Sequence, residues 1–175
     1  NGKYDDEVHD CTPSLDVLAD TARVAADGMM SPTQPSNASL RALRLLIEQV
    51  AVIEDELELP RRELHGMVPG VYRRPLSGIA RYKMAELEEY GVGDGDVPPF
   101  PFLAPLPLAA AVEEAWFSGQ TLTDHQPSAP IADAYRRIAL HLDLAAGVAR
   151  SDELAAWPPL ETVTPETVTV GAGER

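Results

Sequence analysis

The chain has 175 residues, 45% hydrophobic and 24% charged, enough for one domain with a buried core. Its 28 Asp and Glu against 14 Lys and Arg give a net charge of −14, so the surface as a whole repels nucleic acid and only a local arginine patch would reach phosphate. A single cysteine, Cys11, excludes an internal disulfide and a multi-cysteine zinc site.

Short apolar runs alternate with helical periods, which predicts an α/β fold with a mainly parallel sheet and flanking helices. Tyr4 to Cys11 reads as a first strand. Thr12-Pro13-Ser14 is a turn, with Ser14 capping a helix from about Leu15 to Ala26. Gly28 to Ser31 reads as a second strand ended by Pro32. A loop at Gln34-Pro35 and a cap at Ser36-Asn37 lead into the clearest helix. There Leu40, Leu43, Ile47, Val50, Ile53 and Leu57 recur every three or four residues. Arg41, Arg44, Glu48, Glu54, Asp55 and Glu58 lie between them, and Pro60 ends the helix.

Leu64 to Tyr72 predicts a third strand, with Pro69 and Gly70 forcing a turn at its end. A helix from Ser77 to Tyr90 is stopped by Gly91, Gly93 and Gly95. Val97 to Leu103, broken by Pro98, Pro99 and Pro101, is an edge strand or an extended loop. Leu108 to Ser118 is a short helix closed by Gly119. A last helix runs from Ile131 to Ala149 with Ile131, Tyr135, Ile138, Leu142 and Ala145 as its buried stripe. The domain thus covers 1–150. Residues 151–175, with Pro158-Pro159, Pro165 and a run of Thr, Val and Glu, read as a mobile acidic tail.

Lysine occurs only as Lys3 and Lys83. An acidic, lysine-poor surface is that of a halophilic protein kept soluble in concentrated salt; the plain alternative is an acidic protein of ordinary surroundings. The sequence opens with Asp5, Asp6 and Glu7 and no apolar core, unlike a signal peptide. Its most apolar stretch, Phe100 to Phe117, contains Pro101, Pro105, Pro107, Glu113 and Glu114 and is no membrane span. A soluble, cytoplasmic protein without membrane contact is expected.

Several pieces match one family in order. Tyr4-Asp5 followed by Asp10-Cys11-Thr12-Pro13-Ser14 is similar to the "YD…DCPPS" signature of ParA/Soj/MinD-like partition ATPases. Ala26-Asp27-Gly28 to Gln34-Pro35 resembles "aaDgvliPvqp", and Gly66 to Tyr72 resembles "Gilptmy". Val97-Pro98 to Ala115 and Gly119-Gln120-Thr121-Leu122 resemble "IP…v.eA…Gkpl". Ala132-Asp133-Ala134-Tyr135-Arg136-Arg137-Ile138-Ala139 is similar to "a.aYrrla". The resemblance covers nearly everything before the tail. It implies the C-terminal portion of a P-loop NTPase domain, using ATP and Mg2+, forming a homodimer, and working with a ParB-like centromere-binding protein and DNA at the nucleoid. The "P…QP" segment and the Gly66 to Tyr72 strand favour ParA over MinD.

These 175 residues contain no "KGGxGKT" phosphate loop, the main catalytic apparatus of that family. Gly91, Gly93 and Gly95 sit among Asp94 and Asp96 and would repel phosphate. The first strand is also unusual, because Glu7 and His9 would be costly inside a sheet covered on both faces. Hydrolysis by this chain alone is therefore not expected.

The resemblance makes Asp10 the magnesium-site acid, acting through water; otherwise it caps the following turn. It lays Pro69, Gly70 and Val71 against an adenine, although Gly70 offers no side chain to read the base; otherwise they are an ordinary strand end. It gives the basic cluster Arg73, Arg74, Arg81 and Lys83 to non-specific DNA contact. The alternative is a solvated charge run balanced by Glu86, Glu88 and Glu89. His9, His65, His125 and His141 have no metal-ligand spacing. Ser14 and Ser31 lack a nucleophile's partners, and Cys11 reads as a buried thiol. Three functions remain: a partition ATPase component, a non-catalytic module binding a ParA-like partner or DNA, and a decayed remnant.

Overall fold

The computed structural model describes residues 7–11, 16–93 and 98–147. The tail expected from 151, Ser14 and Gly95 lie outside the described residues. The fold is α/β, with a parallel sheet of three strands in the order β1-β2-β3.

The elements are α1 (Val17–Ala25), β1 (Gly28–Thr33), α2 (Asn37–Glu56), β2 (Glu63–Tyr72), α3 (Gly78–Val92), β3 (Leu106–Pro107), α4 (Ala110–Ser118), α5 (Leu122–His125) and α6 (Pro130–Ala145). β1-α2-β2 and β2-α3-β3 are two βαβ units, because parallel neighbours need a crossover.

β2 is central, and its run Gly66 to Pro69 is buried throughout, as a strand covered on both faces must be. Successive side chains point to opposite faces. Met67 joins Leu40, Leu43, Leu87 and Phe100, the layer made with α2 and α3. Val68 joins Leu103, Ala104, Ala134 and Ile138, the layer made with α6.

The pairing of β1 with β2 steps from Met29↔Leu64 to Met30↔Gly66, leaving His65 as the extra residue of a β-bulge. The His65 carbonyl, out of the ladder there, meets His141 Nε2 at 2.7 Å. Gly66 has φ 147, and a Cβ there would stand 2.6 Å from both Leu103 Cγ and the Pro101 carbonyl oxygen. Only glycine fits. Gly91, inside α3, is fitted as closely: its Cβ would lie 2.7 Å from the Phe100 carbonyl oxygen.

Several expectations are corrected. Glu7 to Cys11 forms no strand and is exposed; Glu7, His9 and Asp10 carry too much polarity for a covered parallel strand. Cys11 is accordingly exposed, not buried. The cap of α1 is Asp16, whose side chain accepts from the Ala19 N–H. Pro32 lies within β1 rather than ending it. Pro69 and Gly70 lie inside β2, with Pro69 opposite Thr33 and Gly70 opposite Leu106. Val97 lies outside the described residues; residues 98–103 follow the extended-loop alternative, with one bridge from Phe102 to Met67, and the strand proper comes later, at Leu106. Tyr135 is 41% exposed, since α6 packs through Ile131, Ala132, Ala134 and Ile138 instead. The small alanines let the helix approach the sheet and turn the ring outward.

Candidate functional site

In an open parallel sheet ligands gather at the carboxyl ends of the strands, where the following helices begin. β1 ends at Thr33, and Ser36 caps α2 by accepting the Ser39 N–H at 3.2 Å. β2 ends at Tyr72, and Ser77 caps α3 by accepting the Ala80 N–H at 3.2 Å. The Leu108 N–H donates to the Tyr72 carbonyl at 2.8 Å, which holds the end of β3 beside that of β2. α4 follows without a side-chain cap. Three helix N-termini thus start from one edge, with N–H groups and dipoles favourable to anions.

Thr33, 8% exposed, has a buried hydroxyl with no hydrogen-bond partner. It sits at this edge opposite Pro69, which has no N–H to offer. Sequence reasoning did not single it out. The available signal was a polar residue closing an apolar strand just before a capped helix.

Pro69 is fully buried, Gly70 half-buried and Val71 63% exposed. Val71 has φ 55, a left-handed conformation costly for a β-branched residue. The pairing with β3 steps there from Gly70↔Leu106 to Tyr72↔Pro107, so Val71 is the irregular residue inside β2, one place before its end. Arg73 and Arg74 follow in the β2–α3 connection and Arg81 lies in the first turn of α3; all three are exposed. No hydrogen bond or ion pair holds their guanidinium groups among the described residues. Exposed Val71, Ile79 and Tyr82 interleave with them.

Lys83 is different. Its ammonium pairs with Glu86 at 2.6 Å and lies 5.1 Å from the Tyr82 ring centroid. Asp10 is exposed, and no hydrogen bond or ion pair joins it to the strand ends. Among the described residues no group of three or more His, Cys, Asp or Glu could hold a metal ion. The described residues by themselves do not assemble a magnesium centre. For a nucleotide they offer helix N-termini and one orphaned hydroxyl, without a phosphate loop. No helix among the described residues is long and apolar enough to cross a membrane.

No family model matches the chain. It is 30% identical over 140 residues to an uncharacterized protein of Mycobacterium tuberculosis, 80% of this chain and 42% of that protein. It is 31% identical over 137 residues to the chromosome-partitioning ATPase Soj of Thermus thermophilus, 78% of this chain and 51% of Soj. It is 36% identical over 74 residues to the chromosome partitioning protein ParA of Caulobacter vibrioides, 42% of this chain and 27% of ParA. The chain spans about half the length, or less, of the curated relatives it matches. With two βαβ units in a parallel sheet and this pattern of relatives, the chain is similar to chromosome-partitioning proteins of the ParA and Soj kind.

Proposed function

We propose that the chain works in DNA segregation as a ParA-like component. In this reading the β2–α3 connection touches DNA without sequence preference, through Arg73, Arg74 and Arg81. Lys83, occupied by Glu86, contributes little. The carboxyl edge at Thr33, Pro69, Gly70 and Val71 faces the base of an ATP molecule. Asp10 reaches its Mg2+ ion through water only if a phosphate loop outside these 175 residues completes the site. A homodimer, a ParB-like partner and a cytoplasmic, nucleoid-associated location belong to the same reading. The observation that carries it is the similarity to Soj over 78% of this chain.

DNA and nucleotide binding test it separately. At low salt the chain retains duplex DNA of any sequence, and each of Arg73→Ala, Arg74→Ala and Arg81→Ala lowers the salt slope by about 1. Unchanged slopes would remove DNA contact from this patch. A fluorescent ATP analogue with Mg2+ binds only when a relative bearing the phosphate loop is present. No binding in either case defeats the nucleotide part of the proposal. The second reading is a non-catalytic module that binds a ParA-like partner. Capture of a Soj relative independent of nucleotide supports it.

A further inference from the structure

The outer side of α4 is used by nothing above. The helix buries Ala111 and Ala115 and leaves Trp116 and Phe117 87% and 94% exposed. Large aromatic side chains bury about 150–250 Å² each when partnered, and two adjacent ones left in water mark a contact surface. Leu108, 51% exposed, precedes the helix.

The charged residues of α4 itself have one sign. Glu113 is one turn from Trp116, and Glu114 one turn from Phe117, spacings that make helix-surface neighbours. No Lys or Arg occurs between Lys83 and Arg136. Glu114 meets His125 Nε2 at 3.6 Å and Gln126 Nε2 at 3.4 Å, which ties α5 to the same face. Phe117, Ser118, Glu113, Glu114 and His125 line an open hollow of about 560 Å³.

This chemistry discriminates among occupants. Nucleic acid and anionic lipid are repelled by the two glutamates. A second copy, also at net charge −14, would bring like charges together. A cationic helix or strand matches both features. A guanidinium stacks on the Trp116 ring while pairing with a carboxylate, and an apolar side chain enters the hollow beside Phe117. We propose that the α4–α5 face docks a basic, amphipathic segment of a protein partner, anchored by Trp116 and Phe117 and oriented by Glu113 and Glu114.

Replacing Trp157 by Phe leaves Trp116 as the sole tryptophan, since the chain has two. The probe is a Trp-free synthetic peptide with Arg along one helical face and Leu along the other; its control carries Glu in place of Arg. The Arg peptide gives a saturable blue shift of Trp116 emission, and the Glu peptide gives none. Affinity falls at least about tenfold in Phe117→Ser and in the double variant Glu113→Gln, Glu114→Gln. Circular dichroism establishes that each variant is folded. Should Phe117→Ser fail to fold, the double glutamine variant carries the same test, because both glutamates are exposed. No saturable shift, an equal response to both peptides, or unchanged affinity in the variants overturns the proposal. So does a concentration-dependent dimer that Phe117→Ser abolishes, which would make a second copy the occupant.

Discussion

Glu54 is 5% exposed on a helix whose other charged positions face water. It accepts the Arg62 backbone N–H at 2.6 Å and Arg61 Nη1 at 3.0 Å. The Glu54 hydrogen bond, and then the charge of Asp55, hold the Arg61 guanidinium above its usual pKa. Arg62 Nη2 donates to the Val24 carbonyl at 2.7 Å, so one carboxylate locks the end of α2 to the start of β2 and, through Arg62, to α1. A water-sized void of about 10 Å³ lies against Glu54 and Arg62, and Arg62 Nε is buried there without a protein partner. Glu54→Ala should cost about 2 kcal/mol, because it leaves the partly buried Arg62 N–H without its acceptor; Glu54→Gln keeps an acceptor and should cost less. Urea denaturation at constant slope measures both. Gly66→Ala is the sharper change. A left-handed alanine in collision with Leu103 and Pro101 should lose about 3 kcal/mol, read from the same midpoint.

The caps and stripes of the larger elements were readable from sequence. Ser36 and Ser77 cap α2 and α3 as their residue types predict, and Gly119 closes α4 in the left-handed conformation. Ser77→Ala should cost about 1 kcal/mol, and thermal unfolding checks it. Glu54 shows how a pattern can be legible yet misread. It falls at the spacing of Leu43, Ile47 and Val50, so the period placed it on the buried face while its charge argued for the outside. The end of β2 at Tyr72 was readable, but the turn expected just before it was misplaced for another reason. Pro69 and Gly70 are turn residues in isolation, but here the ladder with β1 and the layers on both faces hold them extended. Met67, which is 0% exposed at the centre of that strand, should cost about 3 kcal/mol on replacement by Ala, with hydrogen exchange rising in both βαβ units.

Net charge acts on the molecule as a whole. At −14 the folded chain repels itself more than an expanded one does. Raising NaCl from about 0.1 M to about 1 M shortens the screening length from about 10 Å to about 3 Å. The thermal midpoint should therefore rise with salt, and the same gain should follow from replacing exposed acids with amides. A flat response to NaCl would show that the acidic surface carries no stability penalty. Salt has the opposite effect on DNA contact at Arg73, Arg74 and Arg81, where phosphate binding weakens as counterions compete. The two responses separate stability from binding in one titration.

The sequence alone determined the α/β class, the βαβ order, the long α2 stripe and the basic run before α3. These follow from local period, capping chemistry and charge, which each segment carries by itself. Tertiary structure decided which strand was central, that Pro69 and Gly70 stay in it, and that Glu54 goes inside. It also exposed Trp116 and Phe117. Those outcomes depend on which neighbours cover a residue from both sides. A buried carboxylate needs donors brought from another element, and an exposed aromatic is recognised only when nothing else in the fold reaches it.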